Sequence, residues 1–271
     1  MRLYPLPVRE GKGCKVRASE VFDVSGEVAL VTGGGRGIGL AMARTLAANG
    51  ARVAIAGGES DSFMRAAEAI VALGGTAIGL PLDVCDDDMI GPVFDHVEKE
   101  FGPVSVLINN AGVVHRDKAT QLSRETFRNV MAVNVEGAFM MAQEAARRMI
   151  RDGRGGSIIN ISSILSQLPM RQVSAYSVSK AAVSQLTRSL ALEWAKHGIR
   201  VNEIRPGWFE TALTDTFLKG PGSKVMAGQN PFGRLGDMSD LDGAVLLLAS
   251  KASSYMTGSA ITVDGGHSIG H

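Results

Sequence analysis

Residues 28–39 constrain this chain more than any other stretch. Val28-Ala29-Leu30-Val31 is a short apolar run of the kind a buried parallel strand needs. Thr32-Gly33-Gly34-Gly35-Arg36-Gly37-Ile38-Gly39 follows at once, and residues 40–49 then read as a helix closed by Gly50. Glycines let the backbone turn tightly and come close to a pyrophosphate, while the N-terminus of the next helix offers free N–H groups and a positive dipole end. A glycine triplet alone is a weak signal, but between a strand and a helix it points to a dinucleotide site. Gly33, Gly35, Arg36, Gly37, Ile38 and Gly39 are therefore candidate cofactor contacts.

The alternation continues down the chain. Strands are expected at residues 52–56, 77–82, 104–108, 158–161, 200–204 and 260–263. Helices are expected at about 60–73, 88–101, 123–150, the segment carrying Tyr176, and 240–248. Strands alternating with helices imply right-handed βαβ crossovers and one doubly wound parallel sheet, a Rossmann fold with helices on both faces. No Pro/Gly/Ser-rich linker divides the chain after residue 25, and there are no repeats or low-complexity tracts. The expected organisation is one dinucleotide-binding and catalytic domain over residues 25–271. Residues 1–24, with Pro5, Pro7, Gly11 and Gly13, read as a flexible extension.

Composition narrows the function classes. The 271 residues are 45% hydrophobic and 20% charged, a globular balance, and 28 basic residues face 27 acidic ones for a net charge of +1. Nucleic acid or an anionic membrane would call for a clustered basic surface, which this balance does not support. No apolar run approaches the ~18 residues of a membrane span, and the first residues lack the apolar block of a secretory signal. Cys14 and Cys85 match no metal or redox spacing, and His96, His115 and His197 have no mutual ligand spacing. The expectation is a cytoplasmic protein with no metal.

Tyr176 and Lys180 stand four residues apart, on one face of a helix and one turn from each other. Free tyrosine has a pKa near ~10, and a fixed positive charge beside it favours the phenolate. A tyrosine tuned in this way can give a proton to a carbonyl oxygen or take one from an alcohol. Ser163 closes the apolar run Ile158-Ile159-Asn160-Ile161-Ser162, at the carboxyl end of a parallel strand where ligands bind in open α/β sheets. Its hydroxyl can donate to the same substrate oxygen that Tyr176 serves. Alone, Tyr-x-x-x-Lys is more often a solvated helix pair; its company decides.

Cofactor choice rests on the end of the second strand. An acidic side chain there binds the adenosine ribose hydroxyls and selects NAD. The position is Gly57, while Arg36 in the glycine turn is placed to meet a 2′-phosphate, so NADP(H) is favoured over NAD(H). Glu59 lies two residues late and within reach of the ribose.

Taken together, Thr32-Gly33-x-x-x-Gly37-x-Gly39, Asp83, Asn109-Asn110-Ala111-Gly112, Asn134, Ser163, Tyr176-x-x-x-Lys180, Pro206-Gly207 and Thr211 resemble the short-chain dehydrogenase/reductase family over roughly residues 24–266. The resemblance implies an NAD(P)-dependent enzyme interconverting a secondary alcohol and a ketone. It implies Tyr176 as acid/base, Ser163 as the group that holds and polarises the carbonyl, and Lys180 gripping the nicotinamide ribose and lowering the tyrosine pKa. Asn134 would bend its helix and hold a water linking Lys180 to solvent. The Gly33–Gly39 backbone would take the pyrophosphate, Asp83 and Val84 the adenine, Asn110, Ala111 and Gly112 the middle of the cofactor, and Pro206, Gly207, Trp208 and Thr211 its nicotinamide end. It also implies a homotetramer or homodimer formed through two long helices.

The family's substrate pocket would be lined here by His115, Arg116, Leu165, Gln167, Met170, Trp208, Phe209 and residues 213–232. That lining suits a sugar acid, a polyol or a cyclic ketone. The segments around Pro206–Thr211 and Asn230–Gly236 resemble gluconate 5-dehydrogenases and also 3-oxoacyl reductases. A substrate carboxylate would find Arg116 or Arg171. The alternatives are a 3-oxoacyl-thioester reductase, a catalytically idle cofactor-binding scaffold, and a nucleotide-sugar epimerase, which would carry a different glycine pattern and a larger C-terminal lobe. Two features depart from the family: neither Gly57 nor Gly58 supplies a cofactor-selecting side chain, and Glu203 and Arg205 stand where small residues are more usual. The sequence offers no reason for that last pair.

Overall fold

The computed structural model describes residues 17–58, 61–211 and 221–270. Seven strands form one parallel sheet: β1 (Val28–Thr32), β2 (Arg52–Gly57), β3 (Thr76–Pro81), β4 (Val106–Asn109), β5 (Gly156–Ile161), β6 (Ile199–Pro206) and β7 (Ala260–Val263). Their spatial order is β3-β2-β1-β4-β5-β6-β7. The order reverses between β1 and β4, whose pairing sets Leu30 opposite Leu107. Beside such a switch point the carboxyl ends of neighbouring strands diverge and leave a crevice.

The helices are α1 (Ala18–Val21), α2 (Gly37–Ala48), α3 (Ser62–Ala72), α4 (Asp87–Phe101), α5 (Arg124–Met131), α6 (Gly137–Asp152), α7 (Ser174–Trp194), α8 (Pro221–Gly228) and α9 (Asp242–Ala249). Successive strand residues point to opposite faces, so each strand feeds two apolar layers. Ala29 and Val31 pack with Met42 and Leu46 of α2, Ile70 of α3 and Leu248 of α9. Val28 and Leu30 pack with Phe94 of α4, Met141 and Met149 of α6 and Leu190 of α7. Strands buried on both faces explain why β1, β2 and β5 read as continuous apolar runs rather than alternating ones.

Two expectations change. Residues 1–16, most of the expected extension, lie outside the described residues, but Val24 at its end is fully buried in the core and Ala18–Val21 is a helical turn. The long helix expected over residues 123–150 is three segments: α5, a π-helical turn Ala132–Glu136, and α6. Wider turns of this kind insert one extra residue into a helix and re-aim its side chains. Here the side chain re-aimed is Asn134.

Candidate active site

The strand ends at the switch point are tied to each other through side chains. The Thr32 hydroxyl accepts from the backbone N–H groups of Asn110 and Ala111, both at 3.1 Å. Asn110 Nδ2 donates to the carbonyls of Thr32 and Gly33, each at 3.0 Å. The glycine turn after β1 and the Asn110–Gly112 turn after β4 thus hold each other in place. Gly33 has φ +62°, and a Cβ there would come within 2.9 Å of Ala111 Cα, so only glycine fits. Gly37, at φ +55°, opens α2, whose N-cap Arg36 makes no side-chain cap. The first N–H groups of α2 are thereby left to face a ligand.

A cavity of about 200 Å³ lies over this junction, lined by Gly33, Arg36, Gly37, Ile38, Asn110, Ala111, Gly112, Ser163, Tyr176, Lys180, Pro206, Gly207 and Thr211 among others. One concave surface therefore gathers most of the residues that sequence assigned to cofactor and chemistry. A glycine turn that no Cβ can enter and a helix N-terminus with free donors fit a dinucleotide pyrophosphate.

Several assigned residues stand elsewhere. Gly39 is packed under the turn, where a Cβ would meet Asn110 Nδ2 and the Gly33 carbonyl, and a Cβ on Gly35 would strike Ser62 and Phe63. These two glycines allow close packing beneath the cavity rather than lining it. Asp83 is exposed beyond β3, its carboxylate accepting from Cys85 N–H at 2.9 Å, and Val84 is buried against Gly137. Glu59 lies outside the described residues. Trp208 lines a second, smaller cavity of about 70 Å³ with Val114, Arg116, Ser163, Ile164, Leu165, Val173, Tyr176 and Gly207. Ser163 and Tyr176 border both cavities, so the two meet at these side chains, and Trp208 stands on the wall of the second. His115, Gln167, Met170 and Arg171 line neither cavity, and Phe209 lines the first. Sequence reasoning missed Val114, Ile164 and Val173, apolar residues that carry no motif.

Lys180 is buried, and its ammonium donates a 2.7 Å hydrogen bond to the Ile161 carbonyl at the end of β5. Its Nζ is 5.7 Å from the centre of the Tyr176 ring. Burial pulls the Lys180 pKa down to about 8, against the opposing charge of Glu203. Tyr176 does not show the lowered pKa expected from the lysine charge. Burial pushes its phenol up to about 12, and the hydrogen bond with Ser163 only partly counters this. Desolvation of the phenolate is the larger effect in this structure.

The π turn places Asn134 against the turn after β4. Its Oδ1 accepts from Val113 N–H at 2.8 Å, while Nδ2 donates to the Val113 carbonyl and to Ser179 Oγ, both at 2.9 Å. All its polar atoms are engaged, and a Cβ on Gly112 would sit 3.2 Å from Asn134 Oδ1 and 3.6 Å from Lys180 Nζ. Among the described residues no group of three or more His, Cys, Asp or Glu could hold a metal ion, and no helix is long and apolar enough to cross a membrane.

A family model described as enoyl-(acyl carrier protein) reductase matches residues 33–268. The gluconate 5-dehydrogenase of Gluconobacter oxydans is 37% identical over 251 residues, covering 92% of this chain and 98% of that one. The 5-keto-D-gluconate 5-reductase of Escherichia coli K12 is 34% identical over 249 residues, covering 92% and 98%. A crystal structure of a gluconate 5-dehydrogenase from Burkholderia cenocepacia in complex with NADP and tartrate superposes with a TM-score of 0.89 at 35% identity, covering 93% of this chain and 99% of that one.

The fold and these matches define an NAD(P)-dependent oxidoreductase that interconverts a secondary alcohol and a ketone by hydride transfer. The chain belongs to the short-chain dehydrogenase/reductase family.

Proposed function

We propose that the protein interconverts a secondary hydroxyl and a ketone on a sugar acid, with NADP(H) as the preferred cofactor. The observation that carries this reading is the meeting of Ser163, Tyr176 and Arg116 around one small cavity that opens beside the glycine turn. When bound, the nicotinamide supplies or accepts the hydride. Tyr176 donates its phenolic proton to the carbonyl oxygen in reduction and takes it back from the alcohol in oxidation. Ser163 donates a second hydrogen bond to the same oxygen, holding it in line and stabilising charge as it develops. Lys180 presents a fixed positive charge to the phenol and a donor to the cofactor ribose, and Asn134 steadies the turn beside it and a water leading to solvent. Gly33, Gly37, Ile38, Asn110, Ala111, Gly112, Pro206, Gly207 and Thr211 form the cofactor cradle. Arg36 on the same wall, with no acid at Gly57, favours a 2′-phosphate.

Sugar-acid chemistry is supported by the dehydrogenases above and by Arg116 at the rim of the substrate cavity, where a guanidinium can take a carboxylate in a two-bond fork. The protein is proposed to work as a cytoplasmic homotetramer or homodimer. The test is binding of NADPH and NADH to the purified protein, followed by turnover of aldonates, ketoaldonates, neutral polyols and 3-oxoacyl thioesters with the tighter cofactor. Tighter NADPH binding and fastest turnover of an aldonate pair are expected. Preference for NADH overturns the cofactor assignment, a preferred thioester overturns the substrate class, and no hydride transfer to any of them leaves a scaffold.

A further inference from the structure

Glu203 and Arg205 lie on the same face of β6, since alternate strand residues share a side. Both are buried, at 2% and 8% exposure, and they form an ion pair. Ser184 Oγ donates to the other carboxylate oxygen of Glu203 at 2.7 Å. Ser184 follows Lys180 by one helical turn on α7, so carboxylate and ammonium lie against the same helix face. The Ser184 hydroxyl is 3.3 Å from that of Ser162, which in turn accepts from the backbone N–H of Ser163 at 2.6 Å. A continuous buried polar chain thus runs from Arg205 through Glu203, Ser184 and Ser162 to the backbone of the proposed carbonyl-binding serine. Its carboxylate is one residue behind the β6 position that pairs with Ile161, whose carbonyl seats Lys180.

Such a pair is a poor choice for stability alone. Two charges taken from water are seldom repaid by their mutual attraction, and apolar side chains of similar volume usually serve a core as well. Arg205 Nε is in addition buried with no hydrogen-bond partner. The charge is better explained by what it faces. The titratable and charged groups that bear on Lys180 are Tyr176 on its own helix and Glu203 on β6, whose counter-ion is Arg205. The β5 end, the Asn110–Gly112 turn and Asn134 present only neutral groups.

We propose that Glu203 is a positioning residue of the reaction: clamped by Arg205 and Ser184 behind Lys180, its carboxylate supplies the fixed negative charge that keeps the buried lysine in its ammonium form. The inference rests on the roles proposed above for Tyr176 and Lys180. Burial draws the lysine proton off and the charge of Glu203 opposes it, consistent with a lysine that still holds its proton to about pH 8. A neutral lysine would neither favour the phenolate nor donate as strongly to the ribose, so Glu203 sets the upper pH limit of the enzyme.

The experiment is the pH profile of kcat/KM from pH 6 to 10.5 for the wild type, Lys180→Met and Glu203→Gln, with NADPH affinity measured by fluorescence at pH 6.5. If Lys180→Met keeps wild-type activity, the underlying reading fails and the inference goes with it. With Lys180→Met inactive, Glu203→Gln is expected to bind NADPH within about threefold of wild type at pH 6.5 and to lose activity at a lower pH. Its alkaline midpoint should move down by half a pH unit or more. A purely structural residue would lower activity at every pH and leave that midpoint in place, and an unmoved midpoint in folded Glu203→Gln overturns the inference alone. Should Glu203→Gln not fold, Glu203→Ala, which restores a small residue at this position, is read in the same way. If neither folds, the pair is scaffold and the inference is wrong.

Discussion

The Lys180 ammonium donates to the carbonyl of Ile161 at 2.7 Å, fastening the helix that carries Tyr176 to the strand end that carries Ser163. One bond therefore couples the protonation of the lysine to the geometry of the site. Burial leaves the folded-state Lys180 pKa at about 8, below the 10.5 of an exposed lysine. Between these values the unfolded chain binds more protons than the folded one, so stability rises as pH increases through this window. The full span is worth about 3 kcal/mol. Urea unfolding of the wild type from pH 7.5 to 10 should show this rise relative to Lys180→Met, which lacks the titrating group. Parallel curves would mean that the lysine is not desolvated.

Tyr176 is expected to carry its proton throughout the neutral range, because burial holds its pKa up at about 12. Ketone reduction needs the phenol and alcohol oxidation the phenolate. Between pH 6 and 7.5, kcat/KM should thus be nearly flat for reduction and rise with pH for oxidation. Tyr176→Phe should reduce both by about 10²–10⁴-fold, the usual worth of a positioned acid/base. A reduction rate that falls over the same pH range would show a phenol with a much lower pKa.

Gly33 and Gly74 separate backbone strain from obstruction. Both have positive φ, +62° and +88°, but a Cβ on Gly33 would press on Ala111 while one on Gly74 meets nothing within 4 Å. Left-handed backbone disfavours any side chain by about 1–2 kcal/mol. Gly74→Ala should lose about that much stability and keep its activity. Gly33→Ala should lose more and bind NADPH at least tenfold more weakly by fluorescence titration. Equal affinity in the two variants would remove the glycine turn from the cofactor site.

The π turn explains why part of the site was hidden in the sequence. Tyr-x-x-x-Lys, the serine at a strand end and the strand–glycine–helix unit are local patterns, and local spacing is enough to place them. Asn134 was recognisable by resemblance, but the widened turn that aims it depends on bonds to Val113 and Ser179. Nothing in residues 123–150 signals them. The raised pKa of Tyr176 is equally non-local, since it reflects what covers the ring. Glu203 and Arg205 could be assigned one face of a strand from alternation, yet only the fold shows that α7 and Ser184 lie over that face. Asn134→Ala should remove all three bonds at once, destabilising the protein by about 2 kcal/mol, the penalty for leaving buried backbone polar groups unsatisfied. Thermal unfolding checks this, and an unchanged midpoint would mean that the turn forms without the side chain.

Arg116 and Arg171 were equal candidates for a substrate carboxylate until the fold separated them. Both arginines are exposed, but Arg116 lines the cavity that contains Ser163 and Tyr176, whereas Arg171 lines neither cavity. A guanidinium at the cavity wall can hold a carboxylate in a two-bond fork. Desolvation lowers the Arg116 pKa, but an arginine keeps its charge at neutral pH. Arg116→Met should raise KM for an aldonate by about 10–100-fold, matching the roughly 1.5–3 kcal/mol of a charged hydrogen bond. KM for a neutral polyol should stay the same, and Arg171→Met should leave both values unchanged. The polyol comparison separates loss of charge recognition from collapse of the cavity. If KM rises equally for acid and polyol, Arg116 shapes the wall without reading the carboxylate, and if it rises for neither, the acid is held elsewhere.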